Sequence, residues 1–258
     1  MLSIDIFKTL NEAASAMTDR SRYLAGGTLV MRDVTYGDQS FDNFIRVRDV
    51  DVTIRSEAGG IRIGAGATMS DLLSSTDVSF LHPVARSIGG PAIRNMATVG
   101  GNLFAQNPYG DLTTALLAMD AQIEMSSGQN QPIEAFLSNR TTTRGLVAAV
   151  IVPRLSTSEF RFAKVSRVKP KGVSLIALAA WLRHGNVRIA FGNMGPTPLR
   201  AKSAERALNT SIDDTSIAQA CAQCTEGLAP EDDALGSAWY RSEVAPIHLK
   251  RLLIGGNR

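Results

Sequence analysis

Cysteine and histidine are scarce in this chain: two and three residues respectively out of 258. Cys221 and Cys224 stand i,i+3 in a helical pattern, and no further Cys or His lies near them in sequence. A disulfide framework is therefore excluded, and a two-thiol metal site lacks its remaining ligands. The plain reading makes them two small buried thiols on one helix face, a usage that suits a reducing cytoplasm. His82, His184 and His248 are each isolated from any serine or cysteine elbow and form no helix-spaced metal pair. Ser174, Arg183 and His184 bracket the most apolar segment, so no run approaches membrane-spanning length. The start Met1-Leu2-Ser3-Ile4-Asp5 lacks the basic-then-apolar layout of a secretory signal. Net charge is only +3, without a dense Lys/Arg tract, which sets nucleic acids aside.

What is present is 44% apolar and 20% charged residues, the composition of a packed protein with ample core. Thr9-Leu10-Asn11-Glu12 is a capping box, and Leu10, Ala13, Ala14 and Met17 behind it predict a helix ending near Asp19. Tyr23–Ala25 and Phe44–Arg48 read as strands of a small α/β lobe. Ile61–Ala65 alternates as a strand, Thr68 to Asp71 opens a short helix, and Pro83 begins another that Gly89-Gly90-Pro91 stops. Asp111 is predicted to cap a helix carrying Leu112, Ala115, Leu116 and Met119; Ile123–Met125 and Leu146–Val152 read as strands. Beyond Pro153 the character changes. Phe160–Val165 and Val187–Phe191 alternate around the apolar run Val173–Leu182, predicting a three-stranded antiparallel sheet. Helices are predicted at Arg200–Leu208, Asp214–Leu228 and Arg241–Ile254, and the domain boundary near 155.

Two glycine pairs carry the chemistry. Leu24-Ala25-Gly26-Gly27-Thr28 and Thr98-Val99-Gly100-Gly101-Asn102 each set Gly-Gly beside hydroxyl or amide side chains. A diphosphate needs backbone N–H groups aimed at it with no side chain in the way, which glycine permits. Either pair alone is also a plain tight turn. Two with matching flanks, followed by Asp111, point to a shared dinucleotide socket. Asp111 is open to two roles, ribose acceptor and helix cap. Gly64-Ala65-Gly66-Ala67-Thr68-Met69 follows a strand, but Met69 stands where the third glycine of a Rossmann fingerprint belongs. No catalytic triad is evident, so any chemistry belongs to a cofactor.

With Tyr23–Thr28, Ile61–Ala67, Ile93–Asn102, Asp111–Ala121 and the order Lys164, Ser166, Arg167, the chain resembles the FAD-binding medium subunit of molybdenum hydroxylases of the xanthine dehydrogenase and carbon monoxide dehydrogenase type. The resemblance spans essentially the whole chain. It implies an α+β protein: a two-lobed FAD-binding domain of the vanillyl-alcohol-oxidase (PCMH) type over 1–155, with lobes of about 1–52 and 53–155. A smaller domain of the CO dehydrogenase flavoprotein C-terminal type would follow over 156–258, built of three antiparallel strands and helices. By resemblance FAD is cradled noncovalently by Leu24, Ala25, Gly26, Gly27, Thr28, Leu29 and Val30 together with Thr98, Gly100, Gly101 and Asn102. Asp111 and Lys164 match positions that contact FAD, and Ile88 and Val147 positions that line it, although both also read as ordinary core. The chain departs from many relatives at Leu29, where a polar or acidic residue is usual, and around Gly172, where an Asp is frequent.

The resemblance further implies electron transfer from [2Fe–2S] clusters through FAD to an external acceptor. The clusters belong to a small iron–sulfur subunit and the molybdopterin cofactor to a large subunit, in a dimer of heterotrimers, since this chain lacks the cysteines and the length for either. Two other readings remain: a free-standing FAD-dependent oxidase of the same fold, and a scaffold subunit that has lost FAD.

Overall fold

The structure, a computed structural model, describes residues 2–142, 145–168 and 172–255. In chain order the elements are β1 (Ser3–Phe7), α1 (Leu10–Ala16), β2 (Ser21–Tyr23), α2 (Val30–Thr35), β3 (Asn43–Val47), β4 (Ile54–Glu57), β5 (Gly60–Gly64), α3 (Met69–Ser74) and α4 (His82–Ser87). They continue with α5 (Pro91–Arg94), α6 (Val99–Leu103), α7 (Asp111–Ala118), β6 (Gln122–Met125), β7 (Asn130–Pro132), α8 (Ile133–Asn139) and β8 (Val147–Val152). The last are β9 (Phe160–Val165), β10 (Ile176–Trp181), β11 (Arg188–Gly192), β12 (Leu199–Arg200), α9 (Lys202–Leu208), α10 (Asp214–Gln223) and α11 (Ala238–Leu253).

The chain forms two compact units that interleave in sequence. One comprises Met1–Val78, Gly89–Ala105 and Ala121–Pro153; the other comprises Ser79–Ile88, Gln106–Asp120 and Arg154–Arg258.

The first unit holds two sheets. A parallel sheet of order β1-β3-β2 has β3 at its centre, with Phe44, Ile45 and Val47 buried. Helix α1 covers it through Ala13 and Leu10, and its start is the Thr9–Glu12 capping box that the sequence predicts. The helix stops at Ala16, three residues short of the expectation. The second sheet is antiparallel, of order β4-β5-β8-β6-β7. Ile61, Ile63, Val150 and Ile123 share its apolar face. On the opposite face the Arg62 guanidinium reaches diagonally over β8 to a bidentate pair with Glu124, at 2.8 and 3.0 Å. Thr68 and Asp71 form the second capping box, at α3.

The second unit is built on an antiparallel sheet of order β12-β11-β10-β9. Four strands replace the three expected. The additional strand β12 is only two residues long, pairing with Ala190 and Phe191, too short for alternation to reveal it. Every residue of β10 is buried. Ile176, Leu178 and Ala180 join a core that includes Ala204, Ile217 and Leu249 of the C-terminal helices, while Ala177 lies beside Gly192 on the face that meets α7. A strand covered on both faces reads in sequence as an unbroken apolar run. Among the described residues no helix is long and apolar enough to cross a membrane.

Candidate functional site

In the first unit, β2 ends at Tyr23 and the Leu24 amide still donates to Ile45, at 2.8 Å. The chain then leaves the sheet. Gly27 takes the left-handed conformation, φ +71°, that turns it into α2, whose N-cap Leu29 makes no side-chain cap. Among the described residues, the amides of Ala25, Gly26, Gly27 and Thr28 have no acceptor within the protein. Half-buried N–H groups without an acceptor call for one from outside.

The second glycine pair is organised differently from the open loop that the sequence suggests. Thr98 is the N-cap of α6, and Gly100 and Gly101 lie inside that helix. Their amides are spent: Gly100 N–H donates to Ala65 O at 2.9 Å and Gly101 N–H to Thr98 Oγ1 at 3.1 Å. Val99 N–H donates to Ala67 O, and Asn102 gives both its amide and its Nδ2 to Thr98 O. The segment set aside as a Rossmann fingerprint, Gly64–Met69, thus holds 97–100 through Ala65 O, Ala67 O and the Met69 amide, which donates to Ala97 O at 2.9 Å. Glycine is required here for lack of space, since a Cβ on Gly100 would stand 2.8 Å from that of Ala65. Gly101 is more open: a Cβ there meets only Thr98 Oγ1 at 3.0 Å and the Ala25 Cβ at 3.9 Å. The two glycine segments therefore lie against each other. Behind them buried Arg140 donates to the carbonyls of Leu103 and Ala105, tying down the end of α6. Val147 is buried at the first position of β8, a strand that α6 touches.

The remaining candidates, Ile88, Asp111 and Lys164, belong to the second unit. Ile88 is the half-buried C-cap of α4. Asp111 is the first residue of α7, and Gly110, not Asp111, is its N-cap, without a side-chain bond. The carboxylate points instead into the unit and is only 3% exposed. Lys164 Nζ donates to Asp111 Oδ2 at 2.8 Å and to the Ser87 carbonyl at 3.0 Å, and the Ser174 hydroxyl donates to Asp111 Oδ1. Ser87 and Ser174 are the site residues that sequence reasoning missed. They lie 24 and 63 residues from Asp111, and no local spacing announces them. Gly172, one of the departures, donates its amide to Val168 O at 2.7 Å, and a Cβ there would come within 2.4 Å of that oxygen.

Elsewhere the chemistry is quiet. No cluster of three or more His, Cys, Asp or Glu suits a metal among the described residues. Burial pushes the Cys221 thiol up and that of Cys224 up to about 12, so both are neutral thiols at neutral pH.

Residues 5–155 match the family described as the FAD binding domain in molybdopterin dehydrogenase. The chain belongs to that family. Its residues 162–254 match a second description, the CO dehydrogenase flavoprotein C-terminal domain. The chain is 27% identical to the glyceraldehyde dehydrogenase medium chain of Sulfolobus acidocaldarius, with 93% of this chain and 92% of that one covered. It is 28% identical to a xanthine dehydrogenase FAD-binding subunit of Escherichia coli O157:H7, with coverage of 93% and 89%. Its fold matches a chain of the reconstituted CO dehydrogenase from Oligotropha carboxidovorans with a TM-score of 0.85 at 25% identity, covering 98% of this chain and 96% of that one. The relatives are dehydrogenase subunits, and the family is one of oxidoreductase components.

Proposed function

We propose that this chain is the FAD-carrying electron-transfer subunit of a heteromeric molybdenum hydroxylase. The observation that carries the reading is the meeting of the two glycine segments, with four unspent amides on one and an uncrowded Gly101 on the other. That arrangement fits a diphosphate: amides 25–28 supply the hydrogen bonds, and α6 supplies a floor free of side chains. The Thr28 and Thr98 hydroxyls flank it as side-chain donors, and Asn102, whose Nδ2 is held by the Thr98 carbonyl, braces the start of α6 beside them. Leu24, Leu29 and Val30 frame the first segment, with Val147 as apolar lining from β8. Neither segment contains His, Cys or Tyr, so attachment is noncovalent. In the second unit, Ile88, Asp111 and Lys164 stand at the positions that the family resemblance associates with FAD.

FAD, when bound, supplies the redox chemistry that links one-electron clusters to an external acceptor. This chain's residues hold and orient it and set its electrostatic surroundings. The donors would be [2Fe–2S] clusters on a small partner subunit, and the molybdopterin cofactor would sit on a large one that selects the substrate. Relatives named as a medium chain and as an FAD-binding subunit support that division, and a dimer of heterotrimers in the cytoplasm completes it. The same reading assigns 1–155 as a PCMH-type FAD domain of two lobes and 156–258 as its C-terminal companion.

The test is purification of the chain with every subunit that travels with it, followed by a flavin spectrum and assays for FAD, iron and molybdenum. The expected result is a flavin-coloured complex holding all three. A colourless complex without FAD overturns the reading and favours a scaffold; turnover by the isolated chain favours a free-standing oxidase.

A further inference from the structure

Helix α11 ends the second unit with one apolar face buried and a second one bare. Ala245, Leu249, Leu252 and Leu253 join the core shared with Ile176 and Leu178 of β10. The opposite face carries Tyr240, Ile247 and Ile254, which are 43%, 51% and 57% exposed. They follow one another at intervals of seven residues. Seven residues are close to two full turns, so the three side chains form a single stripe along the helix. Trp239, 70% exposed, flanks the stripe at its N-terminal end. A surface helix needs one apolar stripe, the one facing the core; an aligned second stripe on the solvent side is a surface built to be covered.

Two charges decide what covers it. Glu243 and Lys250 are exposed, again seven residues apart, and stand on the same side of the stripe. That interval is about 10 Å along the axis, beyond the reach of an intrahelical pair. Among the described residues neither side chain makes an ion pair. Two copies of α11 packed antiparallel, with Ile247 on the two-fold axis, bring Tyr240 of each copy opposite Ile254 of the other. The same register sets Glu243 of each copy opposite Lys250 of the other, because antiparallel helices bring matching flanks together. A parallel pairing would instead turn this flank toward the one that carries Val244 and Arg251. Two-fold interfaces require such reciprocity, each residue meeting a partner that meets it in return.

We infer that the exposed face of α11 is an interface for a second copy of this chain, packed antiparallel about Ile247, with the apolar stripe at its centre and two reciprocal Glu243–Lys250 ion pairs at its edge. One helix pair covers less surface than a standard interface, so the association is reversible and micromolar, not obligate. The contact lies wholly within the second unit and does not depend on FAD. It joins two copies of this subunit directly, without help from partner subunits.

The test is sedimentation velocity on the purified full chain from about 1 to about 200 µM, a range that brackets a small reversible interface. Wild type is expected to pass from monomer to dimer within it. Ile247→Lys is expected to stay monomeric throughout, with the melting temperature of dilute wild type. Glu243→Lys and Lys250→Glu are each expected to weaken dimerisation by about tenfold, because every dimer then holds two like-charge pairs. The decisive sample is an equimolar mixture of these two variants. In the mixed dimer both pairs are attractive again, so dimer reappears at wild-type concentrations, a rescue that no other kind of partner can supply. A wild type that stays monomeric overturns the inference. So does a dimer indifferent to Ile247→Lys, or a pair of single reversals that do not rescue each other. The flavin content of the same samples bears on the proposed function separately: a dimer that behaves as expected but binds no FAD supports this inference and counts against that reading.

Discussion

Gly26 rests on the carbonyl of Met96 so closely that a Cβ on Gly26 would fall 1.6 Å from that oxygen. Backbone meets backbone here, and neither side has a flexible end that can yield. The contact is what brings the first glycine segment against the residues leading into α6, and it leaves amides 25–28 together on one short stretch of chain. Gly26→Ala is therefore expected to push the two segments apart, costing about 3 kcal/mol in urea unfolding, at the upper end for an overpacked site. FAD content after purification should fall with it. Wild-type stability in this variant would show that the two segments separate freely.

Gly101 makes the complementary case. A Cβ there has only the Thr98 hydroxyl and the Ala25 methyl within reach, so the position tolerates a side chain as far as the protein is concerned. Gly101→Val is expected to fold, with a melting temperature within a few degrees of wild type, and to lose FAD because its methyls would occupy the proposed diphosphate floor. Full flavin content in folded Gly101→Val would remove α6 from the cofactor site.

These two glycines also show what the sequence disclosed and what it withheld. Gly26 and Gly101 are visible as members of matched pairs, but the reason for each differs. Gly26 is set by a neighbouring carbonyl 70 residues on, and Gly100 by Ala65, and neither contact leaves a local signature. The capping boxes at Thr9 and Thr68 were legible because every group they use lies within four residues. The alternation of β9 and β11 was legible for the same reason. Strand β1 escaped notice: as an edge strand with Ile4 and Ile6 exposed, it shows no buried face to mark it. Asp111 looked like a helix cap from its position before an apolar run. The partners that draw its carboxylate inward, Lys164 and Ser174, are 53 and 63 residues away.

Arg241 is 1% exposed and holds the segment before α11 through its whole guanidinium. Nε donates to Leu175 O at 3.1 Å, Nη1 to the carbonyls of Glu231 and Gly236, and Nη2 to Asp233 at 2.7 Å. Arg241→Met strands several of these acceptors and is expected to lower stability by about 3 kcal/mol. Arg241→Lys should recover little of that, because an ammonium cannot reproduce a planar fork aimed at separate elements. Thermal unfolding of both variants checks the point; a lysine variant as stable as wild type would reduce the role of Arg241 to its charge.

Acid stability of the first unit should depend on Asp51. Burial raises the Asp51 carboxyl, but hydrogen bonds from Thr53 and Arg62 outweigh it and bring the group from 3.8 down to about 2. The bond from Arg62 likewise lowers Glu124. A carboxyl depressed in the folded state contributes stability that is complete above its unfolded value and disappears as pH falls through the folded one. The window for Asp51 thus runs from about pH 4 down to about pH 2. Asp51→Asn is expected to be less stable than wild type by about 2 kcal/mol at pH 7, with the gap closing across that window. Glu124→Gln should behave in the same sense. The measurement is unfolding free energy in urea at a series of pH values, and curves for wild type and Asp51→Asn that stay parallel down to pH 2 would show that Arg62 does not hold this carboxylate ionised.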